Sequence, residues 1–122
     1  MPTFSEMDER LPLARQIEQN VAPVVLINTF VVEADEADSL LAAWAADAAW
    51  MKKQPGFIST QLHRGIGGSR LFLNYAVWES TEHFKRAFTN PEFRAQLGHY
   101  PASTVVSPHL FQKVAVPGIC VA

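Results

Sequence analysis

The segment from Ser69 to Glu79, SRLFLNYAVWE, has the composition of a buried β-strand with one misfit. Leu71, Phe72, Leu73, Tyr75, Val77 and Trp78 suit a strand covered on both faces, whereas Asn74 brings an amide with two donors and two acceptor lone pairs into its middle. Just upstream, FISTQLHRG (57–65) has strand character and IGGSR (66–70) supplies a glycine turn, so the two strands form a β-hairpin. Earlier still, PVVLINTFVV (23–32) is an almost unbroken β-branched and apolar run bounded by Pro23 and by EADEAD (33–38). It reads as a central strand, and it too is interrupted by an amide, Asn28.

The segments between the strands have helical spacing. From Asp35 to Gln54 the acidic start and Lys52 and Lys53 at the end suit the helix macrodipole, with Leu40, Leu41, Trp44, Ala48 and Met51 forming an apolar stripe. Pro55 and Gly56 stop that helix. Ser80 starts a second helical region with Phe84, Ala87 and Phe88 on one side, and NPEFRAQL (90–97) restarts it behind a proline that a first helical turn tolerates. A last strand is expected over TVVSPHLFQKVAV (104–116), bent at Pro108 and therefore at a sheet edge. Residues 5–20 place Met7, Leu11, Ala14 and Ile17 at helical spacing around Pro12, predicting a short amphipathic helix that starts or kinks near that proline.

From residue 23 the order is therefore β-α-β-β-α-β, a ferredoxin-like α+β arrangement, with residues 1–22 as an N-terminal helical extension, 23–116 as the domain and 117–122 as a tail. In that arrangement the first and third strands are central neighbours, and both helices cover one face of the sheet. Strand alternation puts Phe72, Asn74, Ala76 and Trp78 on one face together with Val24, Leu26, Asn28 and Phe30 of the neighbouring strand. The opposite face would carry Val25, Ile27, Val31, Leu71, Leu73, Tyr75 and Val77, too apolar to leave in water, which predicts a homodimer through it. Both amides then lie under the helices. An unpartnered buried amide costs roughly 2–7 kcal/mol, so the pair either bond each other and ordered water or line a cavity and bond a ligand.

Composition removes several classes of function. With 122 residues the chain makes about one domain, and a net charge of −2 without long charged runs gives no nucleic-acid surface. The single cysteine, Cys120, cannot form an intramolecular disulfide, the first thirty residues lack a secretory pattern, and no apolar run approaches the roughly 20 residues needed to cross a bilayer. A cytoplasmic protein without a membrane partner is expected. The four histidines, among them His83 and His109, are scattered with no acidic residue at ligand spacing, so no metal site is expected. GIGG (65–68) joins two antiparallel strands and opens no helix, so it is a turn rather than a phosphate loop. Trp50, six residues from Trp44, leaves the stripe and is expected at a dimer or N-terminal helix contact.

VLINTFVVEADEADSLLAAW (25–44) and QPGFISTQLHRGIGGSRLFLNYAVWESTEHFKRAFTNPEF (54–93) resemble the antibiotic biosynthesis monooxygenase superfamily. The likeness is carried by LIN-F-V, PGF-S---H, NYA-W-S and the later F and NPE, over roughly residues 23–115. It implies a dimeric α+β barrel, and for the anthrone and naphthacenone oxygenases of that superfamily it implies oxidation of polycyclic phenols to quinones with molecular oxygen and no metal, haem or flavin. Residue by residue, the strand Asn and the Asn and Trp of NYA-W map onto Asn28, Asn74 and Trp78. On this resemblance the two amides orient the substrate and steady oxyanion character, while the Trp78 indole N–H bonds the oxygenated intermediate. Phe30, Phe72, Trp44, Phe84 and Phe88 are the expected aromatic walls for a small aromatic substrate, and His63, at a frequent family position, is a candidate proton acceptor, although an edge strand more often turns such a residue to solvent or an interface.

Haem-degrading members of the superfamily add a Trp in the helix after the third strand and a ligating His further on. The corresponding places here fall near Ala87 and Leu97, with His99 two positions beyond. Two other readings stay open at the level of sequence. One is a non-oxidative barrel, either a ligand-binding protein or a cyclase or isomerase; the other is an aromatic ring-modifying oxygenase assisted by reduced flavin.

Overall fold

The computed structural model describes residues 1–122. Five strands, β1 (Thr3–Phe4), β2 (Val24–Val31), β3 (Phe57–Arg64), β4 (Leu71–Trp78) and β5 (Val105–Phe111), form one sheet in the order β1-β5-β2-β4-β3. Four helices accompany them: α1 (Leu13–Gln16), α2 (Ala37–Met51), α3 (Thr81–Phe88) and α4 (Pro91–Leu97). Without β1, the sheet is the ferredoxin-like arrangement expected from the order of elements.

Local chemistry accounts for the boundaries. Ser80 caps α3 by accepting from the His83 N–H, and Asn90 caps α4 by accepting from the Glu92 N–H at 2.8 Å, with Pro91 in the first turn. Between α2 and β3 the chain turns through Gly56 at φ +85°, where an added Cβ would lie 2.2 Å from His83 Cγ. Both the left-handed backbone and the imidazole therefore require glycine there. Gly56→Ala should lose at least about 1–3 kcal/mol of stability, read as a lowered urea midpoint with an unchanged m-value.

In the amino-terminal region the short helix starts at Pro12, as expected, but it is shorter than the apolar spacing from Met7 to Ile17 suggests. Pro12 stands in an extended conformation as the cap of α1, so the helix cannot reach back to Met7, and it is four residues long. Residues 3 and 4 instead add a parallel strand to β5. The Gln16 side chain ties α1 to the sheet, accepting from Leu110 N at 2.7 Å and donating to the Leu11 carbonyl. The last strand ends at Phe111 rather than Val116, and β1 covers its start, so β5 is an edge only beyond that contact. The carbonyls of Thr104 and Val106 accept from the N–H groups of Thr3 and Ser5, and alternation turns the nitrogen of Pro108 to the same outer side, past the end of β1. A residue without an N–H is tolerated in that position.

Parity along the strands holds as expected. Val24, Leu26, Phe30, Phe72, Ala76 and Trp78 are buried beneath the helices, while Leu71 and Tyr75 of the other face are 43% and 42% exposed. In the register of β2 and β4, Asn28 stands directly opposite Asn74. Around them the core forms two clusters, one centred on Phe30, Leu40 and Phe93, the other on Leu26, Trp78 and Phe84. No helix is long and apolar enough to cross a membrane.

Candidate active site

A cavity of about 60 Å³ lies between the sheet and the helices, over the paired asparagines. Across the sheet at this level run Pro108, Asn28, Asn74 and Leu62. Neither Pro108 nor Leu62 carries a polar side chain, so the amides have few partners. The Thr60 hydroxyl donates to Asn74 Oδ1, which leaves the amide N–H donors of Asn74 for the cavity. Asn28 Oδ1 is buried without a partner, a state that costs about 1–3 kcal/mol until something donates to it. Ala76, between Asn74 and Trp78 on the same strand face, is small enough to leave the floor open.

Aromatic rings make the walls. Trp78 is 1% exposed and meets Phe57 and Phe84 edge-on, at centroid distances of 5.4 and 5.8 Å. The series continues from Phe84 to Phe88 and from Phe88 to Phe93, at 5.4 and 5.3 Å. Phe30 stacks on Tyr100, and Trp44 and Met51 of α2 close the cavity from above. Such faces and edges suit a flat aromatic guest. Ligand pockets usually run to at least about 300 Å³, so a multi-ring guest must displace flexible walls such as Met51 as it enters.

Seven of the residues singled out from sequence line this one cavity: Asn28, Asn74, Trp78, Phe30, Trp44, Phe84 and Phe88. Two do not. His63 pairs with Leu73 on the other face of the sheet and is exposed, because alternation along β3 turns it away from Thr60 and Leu62. Phe72 has the right parity but lies in the core near the end of the strand, with the Arg64 guanidinium 4.9 Å from its ring centroid. Trp50, expected at a dimer or N-terminal helix contact, joins α2 to α4, donating to Glu92 at 2.6 Å and stacking on Phe93.

The cavity also holds residues that the sequence reading did not single out, Thr60 and Asp47 above all. Asp47 Oδ2 accepts from the Tyr100 hydroxyl at 2.8 Å, while Oδ1 is buried without a partner. Burial pushes the Asp47 carboxyl up to about 6, with the Tyr100 hydrogen bond pulling the other way. The Tyr100 hydroxyl is itself driven far up, first by burial and then by the charge of Asp47. One sequence signal existed: Asp47 is the single charged residue between Leu40 and Met51 and falls on the stripe shared by Leu40, Trp44 and Met51.

The histidine ligation of haem expected of the haem-degrading members does not fit this lining. No histidine or cysteine borders the cavity, Ala87 and Leu97 are core residues, and His99 is exposed beyond the end of α4.

A ferredoxin-like α+β domain with an amide pair and an indole beneath an aromatic vault defines a protein with a small-molecule pocket between sheet and helices. The chain belongs to the antibiotic biosynthesis monooxygenase family, whose model matches residues 23–96. Among solved structures it is similar to SnoaB, a cofactor-independent oxygenase from Streptomyces nogalater, with a TM-score of 0.70 and 25% identity over 80% of this chain and 99% of that one. Among characterised relatives it is 34% identical over 94 residues to the mycobilin-producing heme oxygenase of Mycobacterium tuberculosis, covering 75% of this chain and 90% of that protein. It is also 33% identical over 70 residues to deoxynogalonate monooxygenase of Streptomyces nogalater, covering 57% of this chain and 58% of that protein.

Proposed function

We propose that the protein is a cofactor-independent monooxygenase that oxidises a polycyclic phenolic substrate, an anthrone or hydroquinone, to a quinone with molecular oxygen. The observation that carries this reading is the facing pair Asn28 and Asn74, set in an aromatic vault with Trp78 on the same strand face. The similarity to SnoaB supports it independently. Deprotonation turns such a substrate into an electron-rich anion, which passes one electron to oxygen; the resulting radical pair combines to a hydroperoxide, which loses water to leave the new carbonyl. The substrate itself supplies the electrons. Asn74 donors and Asn28 orient and stabilise the developing oxyanion, and the Trp78 indole faces the reacting edge.

The test is oxygen consumption with the anthrone dithranol and purified protein, with labelled oxygen gas. One labelled atom should appear in the quinone and one in water. Turnover no faster than the spontaneous background for dithranol and a panel of hydroxylated naphthacenones refutes the reading.

The same reading includes a homodimer, since helices cover one sheet face and Val25, Ile27, Leu73, Tyr75 and Val77 carry an apolar surface on the other, on which Tyr75 is 42% exposed. Light scattering at micromolar concentration should give twice the chain mass, and Leu73→Asp should reduce it to a monomer. Wild-type protein that scatters as a monomer removes this part of the proposal.

A further inference from the structure

We propose that Asp47 is the residue that accepts the substrate's proton, through its free oxygen Oδ1, with Tyr100 as the positioning residue that holds the other oxygen. This inference deepens the oxygenase reading by assigning its first step. In that step the substrate's acidic C–H or O–H bond breaks, the proton passes to Oδ1 to give a neutral carboxylic acid, and the electron pair stays on the substrate as an enolate or phenolate. No electron leaves the substrate until oxygen arrives.

Geometry supports the assignment in three ways. Asp47 is the one side chain lining the cavity that can take up a proton near neutral pH; amides, indole and a threonine hydroxyl cannot. Its two oxygens are differentiated, since Oδ2 is fixed by the Tyr100 hydroxyl and Oδ1 is buried with no partner in the protein. The second unpartnered buried oxygen of the cavity, Asn28 Oδ1, is likewise an acceptor. A guest bringing hydroxyl donors, such as a phenol with hydroxyls beside its carbonyl, satisfies both, whereas a guest offering only acceptors leaves both unpaired.

Few charged groups surround Asp47. Beneath it the sheet contributes Asn28, Asn74 and Thr60, all neutral. On α4, Gln96 is neutral, Glu92 is engaged by Trp50 and Arg94 stands over the Phe88 ring. Its own helix carries Asp38 in the first turn and Lys52 at the far cap. Tyr100 is the titratable group in contact, and none of the charges contributes to the position of the Asp47 carboxyl, which burial raises to about 6. The ionised form is the base, so the acid limb of the rate should fall below about pH 6.

Proton transfer can be read without oxygen. Dithranol in deuterated buffer under anaerobic conditions should exchange its ring methylene protons faster with the wild-type protein than without it, followed by proton NMR across the acid limb. Asp47→Asn should slow the catalysed exchange by about 10²–10⁴ and abolish the limb, and Asp47→Glu should restore part of it. Tyr100→Phe removes the hydrogen bond that favours the ionised carboxyl, so its limb should move to higher pH, a shift that damage to packing alone does not produce. Circular dichroism checks the fold of each variant, and the Tyr100→Phe shift decides the matter should Asp47→Asn not fold. Wild-type exchange no faster than buffer, an Asp47→Asn protein with the wild-type rate and limb, or an unmoved limb in Tyr100→Phe overturns the assignment. A wild type that exchanges through Asp47 but consumes no oxygen upholds the base and refutes the oxygenase reading alone.

Discussion

Asn74→Ala is expected to slow oxidation of an anthrone by about 10²–10³, the usual cost of deleting one preorganised donor to a developing oxyanion. The size of the effect follows from how the amide is held. Thr60 fixes its carbonyl oxygen, so the N–H donors are aimed before substrate arrives and no reorganisation is needed as charge develops. Thr60→Val, which keeps the shape but frees the amide to rotate, should produce a smaller loss in the same direction. Trp78→Phe tests the other end of the site, four residues and roughly 13 Å along the strand, by deleting the indole N–H while keeping a ring. Oxygen uptake by the three variants, after circular dichroism has shown intact folds, gives the comparison. Wild-type rates in Asn74→Ala and Trp78→Phe together would make the amide a structural group and remove the basis of the proposed chemistry.

Phe84→Ala should cost about 3–5 kcal/mol of stability, the largest effect expected from a single core truncation here. Phe84 is 1% exposed and lies between Trp78 and Phe88, joining the sheet to α3. Its removal leaves a void continuous with the cavity, and the rigid neighbouring rings cannot collapse into it. Urea denaturation should show the midpoint falling sharply, whereas Phe84→Leu, which keeps more of the volume, should lose much less. Equal midpoints for Phe84→Ala and wild type would mean that the wall is held from the helices alone.

What could be read from the sequence, and what could not, separates along physical lines. The strand pair carrying Asn28 and Asn74 was legible because alternation has a period of two and one face must be buried, so parity alone put both amides beneath the helices. The helix caps at Ser80 and Asn90 were equally local signals. His63 stayed between two readings in the sequence because its face depends on the register of the β3–β4 hairpin, which the glycine-rich loop leaves undefined and which its pairing with Leu73 settles. The strand at Thr3–Phe4 was hidden because two residues carry no periodicity, and their pairing with β5 is a long-range contact. Asp47 escaped for a different reason. Its character comes from Tyr100, which is 53 residues away in the chain, and from burial that only tertiary packing creates.

The same carboxyl that the site holds in readiness is a burden on the fold. In the unfolded chain it would titrate near 3.8, and in the folded protein it does so at about 6. Between those values the native state binds more protons than the unfolded one, so this group's contribution to stability declines as pH rises through that window and does not return above it. Most carboxylates of a folded protein act in the opposite sense. A guest that donates to Asp47 and Asn28 binds the native state alone, and therefore raises the melting temperature by mass action. The contribution of Asp47 to stability is thus smallest in the empty protein above about pH 6, and Asp47→Asn should narrow the difference in melting temperature between about pH 5 and pH 7 that this group produces. Folding stability and substrate capture then draw on the same two unpaired oxygens.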